Sequence, residues 1–238
     1  MNGKTAARTN ERQDWETGMT KPLPYWVELP AGFERESGRK WPVLIFLHGA
    51  GQRGVDPSEL ATYEGVCLAN HFKPGTFLAM APVAPACTEK IEWPTAALDA
   101  LVDEILAKYP IDEDRVYLTG RSMGGYGCWS MAAEYPHRFA AIVPLCGAGD
   151  PGKVERFKDV PIWAFQGAKD DLVPKEKSRE MVEALQRIGG RVRYTEFPDA
   201  DHNCWTPAYT NPALYDWLLK QVRGRPDQPR AISFPPLR

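Results

Sequence analysis

Val116-Tyr-Leu-Thr-Gly-Arg-Ser122-Met-Gly-Gly-Tyr-Gly127 is an apolar run that stops on a serine flanked by glycines and continues into small residues. It reads as a buried strand that turns sharply into a helix and presents Ser122 at the turn. Crowding explains the glycines. A serine held in an unfavourable backbone conformation leaves no room for side chains at Gly120 and Gly124, which would collide with neighbouring backbone. The turn also aims the first N–H groups of the new helix at the space in front of the serine. Residues 124 to 135 are small and apolar nearly all round, as expected of a helix pressed onto the centre of a sheet.

Outward from this stretch, strand and helix signals alternate. Continuous apolar runs at Val43–Leu47, Phe77–Met80, Val116–Leu118, Ala141–Leu145 and Ile162–Phe165 suit strands buried on both faces of a parallel sheet, and Val192–Phe197 is strand-like. Leu98, Leu101, Val102, Ile105 and Leu106 recur at helical spacing before Pro110, and Met181, Leu185 and Ile188 do so before Gly189-Gly190. Asn211-Pro212 caps a last helix with Leu214, Trp217, Leu218 and Val222 on one face. Between Cys146 and Pro161 the connection is too short for a helical lid, so an open cleft is expected, walled by the longer stretches 49–75 and 83–95.

A Gly-x-Ser-x-Gly pattern alone is weak; its company decides. A serine nucleophile needs a base to take its proton and an acid to hold that base in the right tautomer, and on this architecture they follow the serine in the order acid, then histidine. Val160-Pro-Ile-Trp-Ala-Phe-Gln-Gly-Ala-Lys-Asp170-Asp171-Leu-Val-Pro174 runs an apolar strand into a loop with two carboxylates. Asp170 is preferred because it faces the strand's C-terminal end. Asp171 lies nearer the helix that begins near Lys175, where an acid simply favours the helix N-terminus.

His202, in Asp199-Ala-Asp-His202-Asn-Cys-Trp205, is the base candidate. His48 ends a buried strand upstream of the serine and reads as structural, while His71 and His137 lie in polar, surface-like contexts. No His-x-x-x-His or Cys-x-x-Cys spacing exists, so no metal site is expected. Backbone N–H groups of Met123 and of the loop His48-Gly-Ala50-Gly-Gln-Arg-Gly54, with Ala50 preferred, are the candidates to receive negative charge on a substrate oxygen. Trp93 and Trp205 are candidate substrate walls, with rim packing the equal alternative for such amphipathic rings.

Leu47-His-Gly-Ala-Gly-Gln-Arg-Gly54, the Ser122 stretch, Gly167-Ala-Lys-Asp170-Asp-Leu-Val-Pro174 and His202-Asn-Cys-Trp205 together resemble the α/β-hydrolase superfamily. Within it they look like the lid-poor bacterial phospholipase/carboxylesterase or prolyl-oligopeptidase-like serine esterases. The resemblance runs from about Tyr25 to Val222. It implies a mostly parallel sheet with helices on both faces, Ser122 as nucleophile, Asp170 as acid, His202 as base, Ala50 and Met123 as oxyanion donors, and no cofactor. Two positions depart from the pattern. Arg121 precedes the nucleophile where an apolar residue is usual, and is either an ion-pair partner or a group for an anionic substrate; Arg53 poses the same choice. Gln166 stands where many members carry histidine.

The expected activity is hydrolysis of small to medium carboxylic esters through an acyl-enzyme on Ser122. A serine peptidase acting on short peptides and a non-catalytic ligand-binding protein of the same fold are the alternatives. The chain of 238 residues suits one catalytic domain at 23–224, between a polar extension at 1–22 and a Pro-rich tail at 225–238. A net charge of −2 leaves no basic footprint for nucleic acid, and no apolar stretch approaches the ~20 residues of a membrane span. The polar N-terminus lacks the apolar core of a secretory signal, so a cytoplasmic location is the expectation, with export of a longer precursor left open. The five cysteines read as buried small side chains, with a Cys87–Cys204 bridge as the minor alternative.

Overall fold

Trp41-Pro-Val-Leu-Ile-Phe-Leu47 has no charged side chain, and every one of its residues is buried as strand β2 (Trp41–Leu47). The computed structural model describes residues 23–30, 33, 38–60, 77–86 and 92–225. Strands β1 (Tyr25–Glu28), β3 (Leu78–Pro82), β4 (Ile111–Arg121), β5 (Ala141–Leu145), β6 (Ile162–Gly167) and β7 (Val192–Phe197) join β2 in a seven-stranded sheet of order β1-β3-β2-β4-β5-β6-β7. Only β1 runs antiparallel, against β3; the other pairings are parallel.

Alternation along the strands divides the core into two layers. Val43, Ile45, Leu47, Val116 and Leu118 pack against α2 (Thr95–Lys108), α3 (Met123–Glu134) and α4 (Lys175–Arg187), through side chains such as Leu101, Trp129 and Leu185. Leu44, Phe46, Tyr117 and Val143 face the opposite layer, where α1 (Pro57–Leu60), α5 (Trp205–Tyr209) and α6 (Pro212–Leu219) supply Leu60, Tyr209, Leu214 and Leu218. Each fully buried Leu, Ile or Phe contributes roughly 1.5–3 kcal/mol. A sheet covered on both faces cannot present its chemistry there, so loops at the strand ends must.

The connection from β5 to β6 carries only a short 3-10 segment, Pro151–Phe157, and no lid-sized insertion is present among the described residues. No helix among them is long and apolar enough to cross a membrane. Parts of the expected cleft walls, residues 61–76 and 87–91, lie outside the described residues, as do the extension at 1–22 and all of the tail beyond Arg225.

Several elements differ from the sequence reading: β3 is shifted to Leu78–Pro82, β6 runs on to Gly167, and four further differences have local causes. Strand β4 begins at Ile111, not Val116: Ile111 pairs with Trp41 and Val116 with Val43, so the polar stretch between them forms an irregularity in the ladder. Strand β1 carries no sequence signal, because its four residues are too few to establish a period. Helix α6 ends at Leu219, short of Val222, since Gln221 turns its carboxamide back to donate to the Trp217 carbonyl at 2.9 Å. Helix α5 is a single short element whose Pro207 falls in its first turn, where the missing N–H is tolerated.

Candidate active site

Ser122 has φ 54° and ψ −119°, a conformation that side-chain-bearing residues rarely adopt. Strain of this kind costs on the order of 1–3 kcal/mol and persists only where the surroundings over-determine it. They do so here. The Ser122 N–H donates to the Leu145 carbonyl at 3.0 Å and to the Cys146 Sγ at 3.3 Å, pinning the elbow to the end of β5. A side chain on Gly124 would run into the Leu47 carbonyl, and one on Gly120 would stand 2.6 Å from the Gly124 oxygen. The strand, the elbow and the start of α3 therefore approach closely enough only with glycine at both positions.

The strain lifts the Ser122 hydroxyl to the C-terminal edge of the sheet, where the loop after β7 brings His202. His202 Nε2 lies 3.0 Å from Ser122 Oγ, and its Nδ1 lies 3.0 and 2.9 Å from the two oxygens of Asp170. Three residues separated by 48 and 32 positions in the chain thus form one continuous hydrogen-bonded line. With Nδ1 donating to the carboxylate, Nε2 is left as the acceptor for the serine proton.

Asp170 is held with few degrees of freedom. Its side chain is wholly buried, and Oδ1 accepts from the backbone N–H groups of Leu172 (3.0 Å) and Val173 (2.9 Å). Its Oδ2 accepts from Gln166 Nε2 at 2.8 Å. Asp171, the neighbouring carboxylate, is exposed. Gln166 is itself fully buried: its carboxamide nitrogen also donates to the Val173 carbonyl at 3.0 Å, and its oxygen accepts from Ser178 Oγ at 2.7 Å. The departure at position 166 is thereby accounted for, because the carboxamide joins the carboxylate to α4 without bringing a second titratable group to it.

The 3-10 turn Ala50–Gln52 follows β2 and lies beside the elbow; a Cβ on Gly49 would stand 3.7 Å from Ser122 Cβ. Within the turn, Gln52 N–H bonds to the Gly49 carbonyl and Arg53 Nε to the Ala50 carbonyl at 3.2 Å, so Arg53 shapes the turn from within. Met123 is the first residue of α3, directly after the serine. The two expected N–H donors thus sit on the segments that flank Ser122.

Arg121, only 8% exposed, donates from Nη2 to Gln52 Oε1 at 3.2 Å and lays its guanidinium 4.5 Å from the centre of the Trp205 ring. Trp205 in turn meets the His202 imidazole at 5.5 Å and 89°. Trp93 does not wall the cleft. It is 3% exposed, packs 4.7 Å from the His48 ring and donates from Nε1 to the His48 carbonyl, so of the two readings for this residue the structure shows packing.

His48 is fully buried beneath the turn, with Nδ1 donating to the Gly49 carbonyl at 2.7 Å and Nε2 accepting from the Ala84 N–H at 3.0 Å. Burial above all, helped by the charges of Arg121 and Arg53, pushes its pKa from 6.5 to about 4. Such a histidine stays neutral in the fold while the unfolded chain protonates below pH 6.5. Its contribution is therefore intact above pH 6.5 and is lost as pH falls toward 4, with a slope that steepens to at most about 1.4 kcal/mol per pH unit between the two values. Urea unfolding at pH 7, 6 and 5 should show that slope in excess of a His48→Gln variant. Parallel slopes would refute the assignment.

Three cysteines among the described residues, Cys128, Cys146 and Cys204, are buried free thiols; Cys67 lies outside the described residues, as does Cys87, the alternative partner for Cys204. Cys146 reads from sequence only as a core side chain, yet it touches the serine backbone. Burial pushes its thiol well above the usual range, so it remains protonated beside Ser122 and does not compete as a nucleophile. Among the described residues one set of ligating atoms, from Cys146, Asp170 and His202, lies within 4.8 Å of one another. The carboxylate and imidazole are already bonded to each other and the thiol is protonated, which makes the set a poor metal site.

Residues 42–159 match the family model of the alpha/beta hydrolase fold. The chain belongs to the α/β-hydrolase superfamily. A solved thermostable esterase is similar to this α/β hydrolase at 36% identity and a TM-score of 0.70, over 84% of this chain and 60% of that one. A bifunctional acetylxylan esterase/xylanase of Neocallimastix patriciarum is 28% identical over 81% of the chain and 30% of its own length. An uncharacterized secreted protein of Arthroderma benhamiae is 27% identical over 86% of the chain and 25% of its own length. The chain thus spans between a quarter and a third of these two curated relatives.

Proposed function

We propose that this α/β hydrolase is a serine carboxylesterase acting on small to medium carboxylic esters. The observation that carries the reading is the line Ser122 Oγ, His202 Nε2, His202 Nδ1 and Asp170, with 3.0 Å at the serine and 2.9 Å at the carboxylate. In the proposed cycle His202 takes the Ser122 proton as Oγ attacks the ester carbonyl. The oxygen of the tetrahedral adduct is received by the Ala50 and Met123 N–H groups. Asp170 stabilises the imidazolium, which then protonates the departing alcohol as the C–O bond breaks. Water, deprotonated by the same imidazole, releases the acid and restores Ser122.

Similarity to a thermostable esterase and to an acetylxylan esterase/xylanase supports ester substrates, and the absence of a lid-sized insertion among the described residues supports an accessible cleft. The experiment is fluorophosphonate labelling of the folded protein, with the adduct mapped by peptide mass spectrometry, alongside a panel of esters and their matching amides. Labelling at Ser122 with ester turnover well above amide turnover is the expected result. Faster amide cleavage would point to a peptidase, and absence of labelling to a binding protein.

A further inference from the structure

Hydrogen bonds at the ring nitrogens of an imidazole tolerate some bending, so small rocking of the ring about its Cβ–Cγ bond weakens them only gradually. His202 is held at Nδ1 by both oxygens of Asp170 and at Nε2 by Ser122, and packing against its ring limits the rocking that remains. The near-perpendicular Trp205 ring at 5.5 Å opposes that rocking. Trp205 stands on α5, the short helix that starts three residues after His202, and its face is covered by the Arg121 guanidinium at 4.5 Å. On its other side the same guanidinium donates to Gln52, the last residue of the turn that carries Ala50. Arg121 is itself the residue before the nucleophile.

We infer that Arg121 is a positioning residue that ties the oxyanion turn to the plane of the catalytic imidazole. A planar cation suits this task because it stacks through its face while donating hydrogen bonds from its edge; a lysine ammonium can do only one of these in a fixed geometry. With 8% of its surface exposed and its guanidinium engaged by Gln52 and Trp205, Arg121 has little surface to offer a substrate. The role concerns transition-state geometry, so its loss lowers kcat and leaves KM for a neutral ester nearly unchanged. A misplacement of about 1 Å at a reacting group costs up to about 100-fold in rate.

The inference rests on the esterase reading, and the test separates the two. Wild-type protein is first labelled with a fluorophosphonate; failure to label Ser122 overturns both. With labelling established, Arg121→Ala should lose about 10- to 100-fold in kcat and in labelling rate, with KM for a neutral ester changed less than about threefold. Methylguanidinium in the buffer should restore part of the loss, and Arg121→Lys should recover less than the added cation does. Gln52→Leu and Trp205→Leu each cut one arm of the link without removing the charge. Each should reproduce part of the kcat loss, and combining them with Arg121→Ala should add little further. Wild-type kcat in Arg121→Ala would overturn the inference. So would a KM increase confined to anionic esters, which would make Arg121 a substrate-binding group. Should Arg121→Ala fail to fold, unchanged kcat in both Gln52→Leu and Trp205→Leu would do the same.

Discussion

Ser122→Ala is expected to lower ester turnover by on the order of 10⁴- to 10⁶-fold, and to abolish fluorophosphonate labelling, while the protein unfolds at nearly the wild-type denaturant concentration. The two halves of this expectation come from different atoms. All of the hydroxyl's contacts that matter to chemistry run through Oγ, which meets His202 Nε2 at 3.0 Å. The elbow itself is held by the backbone: the Ser122 N–H bonds to Leu145 and Cys146, its carbonyl accepts from Tyr126, and glycines at 120 and 124 allow the close approach to Leu47 and to each other. Alanine keeps all of these and the same positive φ. The residual rate should be that of an oxyanion site and bound water alone. Cys146 offers no rescue as a nucleophile, since burial holds it as a thiol with its sulfur turned to the Ser122 N–H. A variant that retained even a tenth of wild-type turnover would remove Ser122 from the chemistry. A variant that failed to fold would make the hydroxyl structural.

How much of this could be read in the residues depended on whether the signal was local. Continuous apolar runs marked the buried strands, and β5 has the limits its apolar run predicted. The elbow was legible because backbone crowding leaves its mark as glycine at fixed offsets from Ser122. Asp170 and His202 were legible because each follows a strand in a loop rich in turn residues, in the order this architecture demands. What escaped was made of contacts through space. Gln166 stood out as a departure, but its partners Asp170 and Ser178 lie on a loop and a helix whose spacing is set only when α4 docks. Cys146 looked like core and touches Ser122 because β4 and β5 are neighbours. Trp93 was ambiguous because an indole suits either a wall or a core, and only its bond to the His48 carbonyl decides between them. Arg121 had no readable partner, since Gln52 and Trp205 lie 69 residues before it and 84 after it.

Asp170→Asn should cost about 10⁴-fold in kcat, and unlike Ser122→Ala it should also destabilise the fold by roughly 1–3 kcal/mol. Loss of the charge removes the stabilisation of the imidazolium, and a carboxamide is free to hold His202 in the wrong tautomer. The stability loss follows from a donor count. Asp170 Oδ1 accepts two backbone N–H groups, from Leu172 and Val173, and Oδ2 accepts the Gln166 carboxamide N–H. An asparagine NH₂ must take one of these places, and at either it faces hydrogen-bond donors. Placed at Oδ1, it leaves the buried Val173 N–H and the partly buried Leu172 N–H without that acceptor. Placed at Oδ2, it forces Gln166 to flip; the flipped carboxamide offers its oxygen to the introduced NH₂ and loses the bond now given to the Val173 carbonyl. Gln166→Leu relieves the Oδ2 conflict, so the double variant should recover part of the stability lost in Asp170→Asn while recovering none of the kcat. Denaturant midpoints and turnover measured on the same four proteins decide it. Additive stability losses would mean that Gln166 does not read the charge of its neighbour.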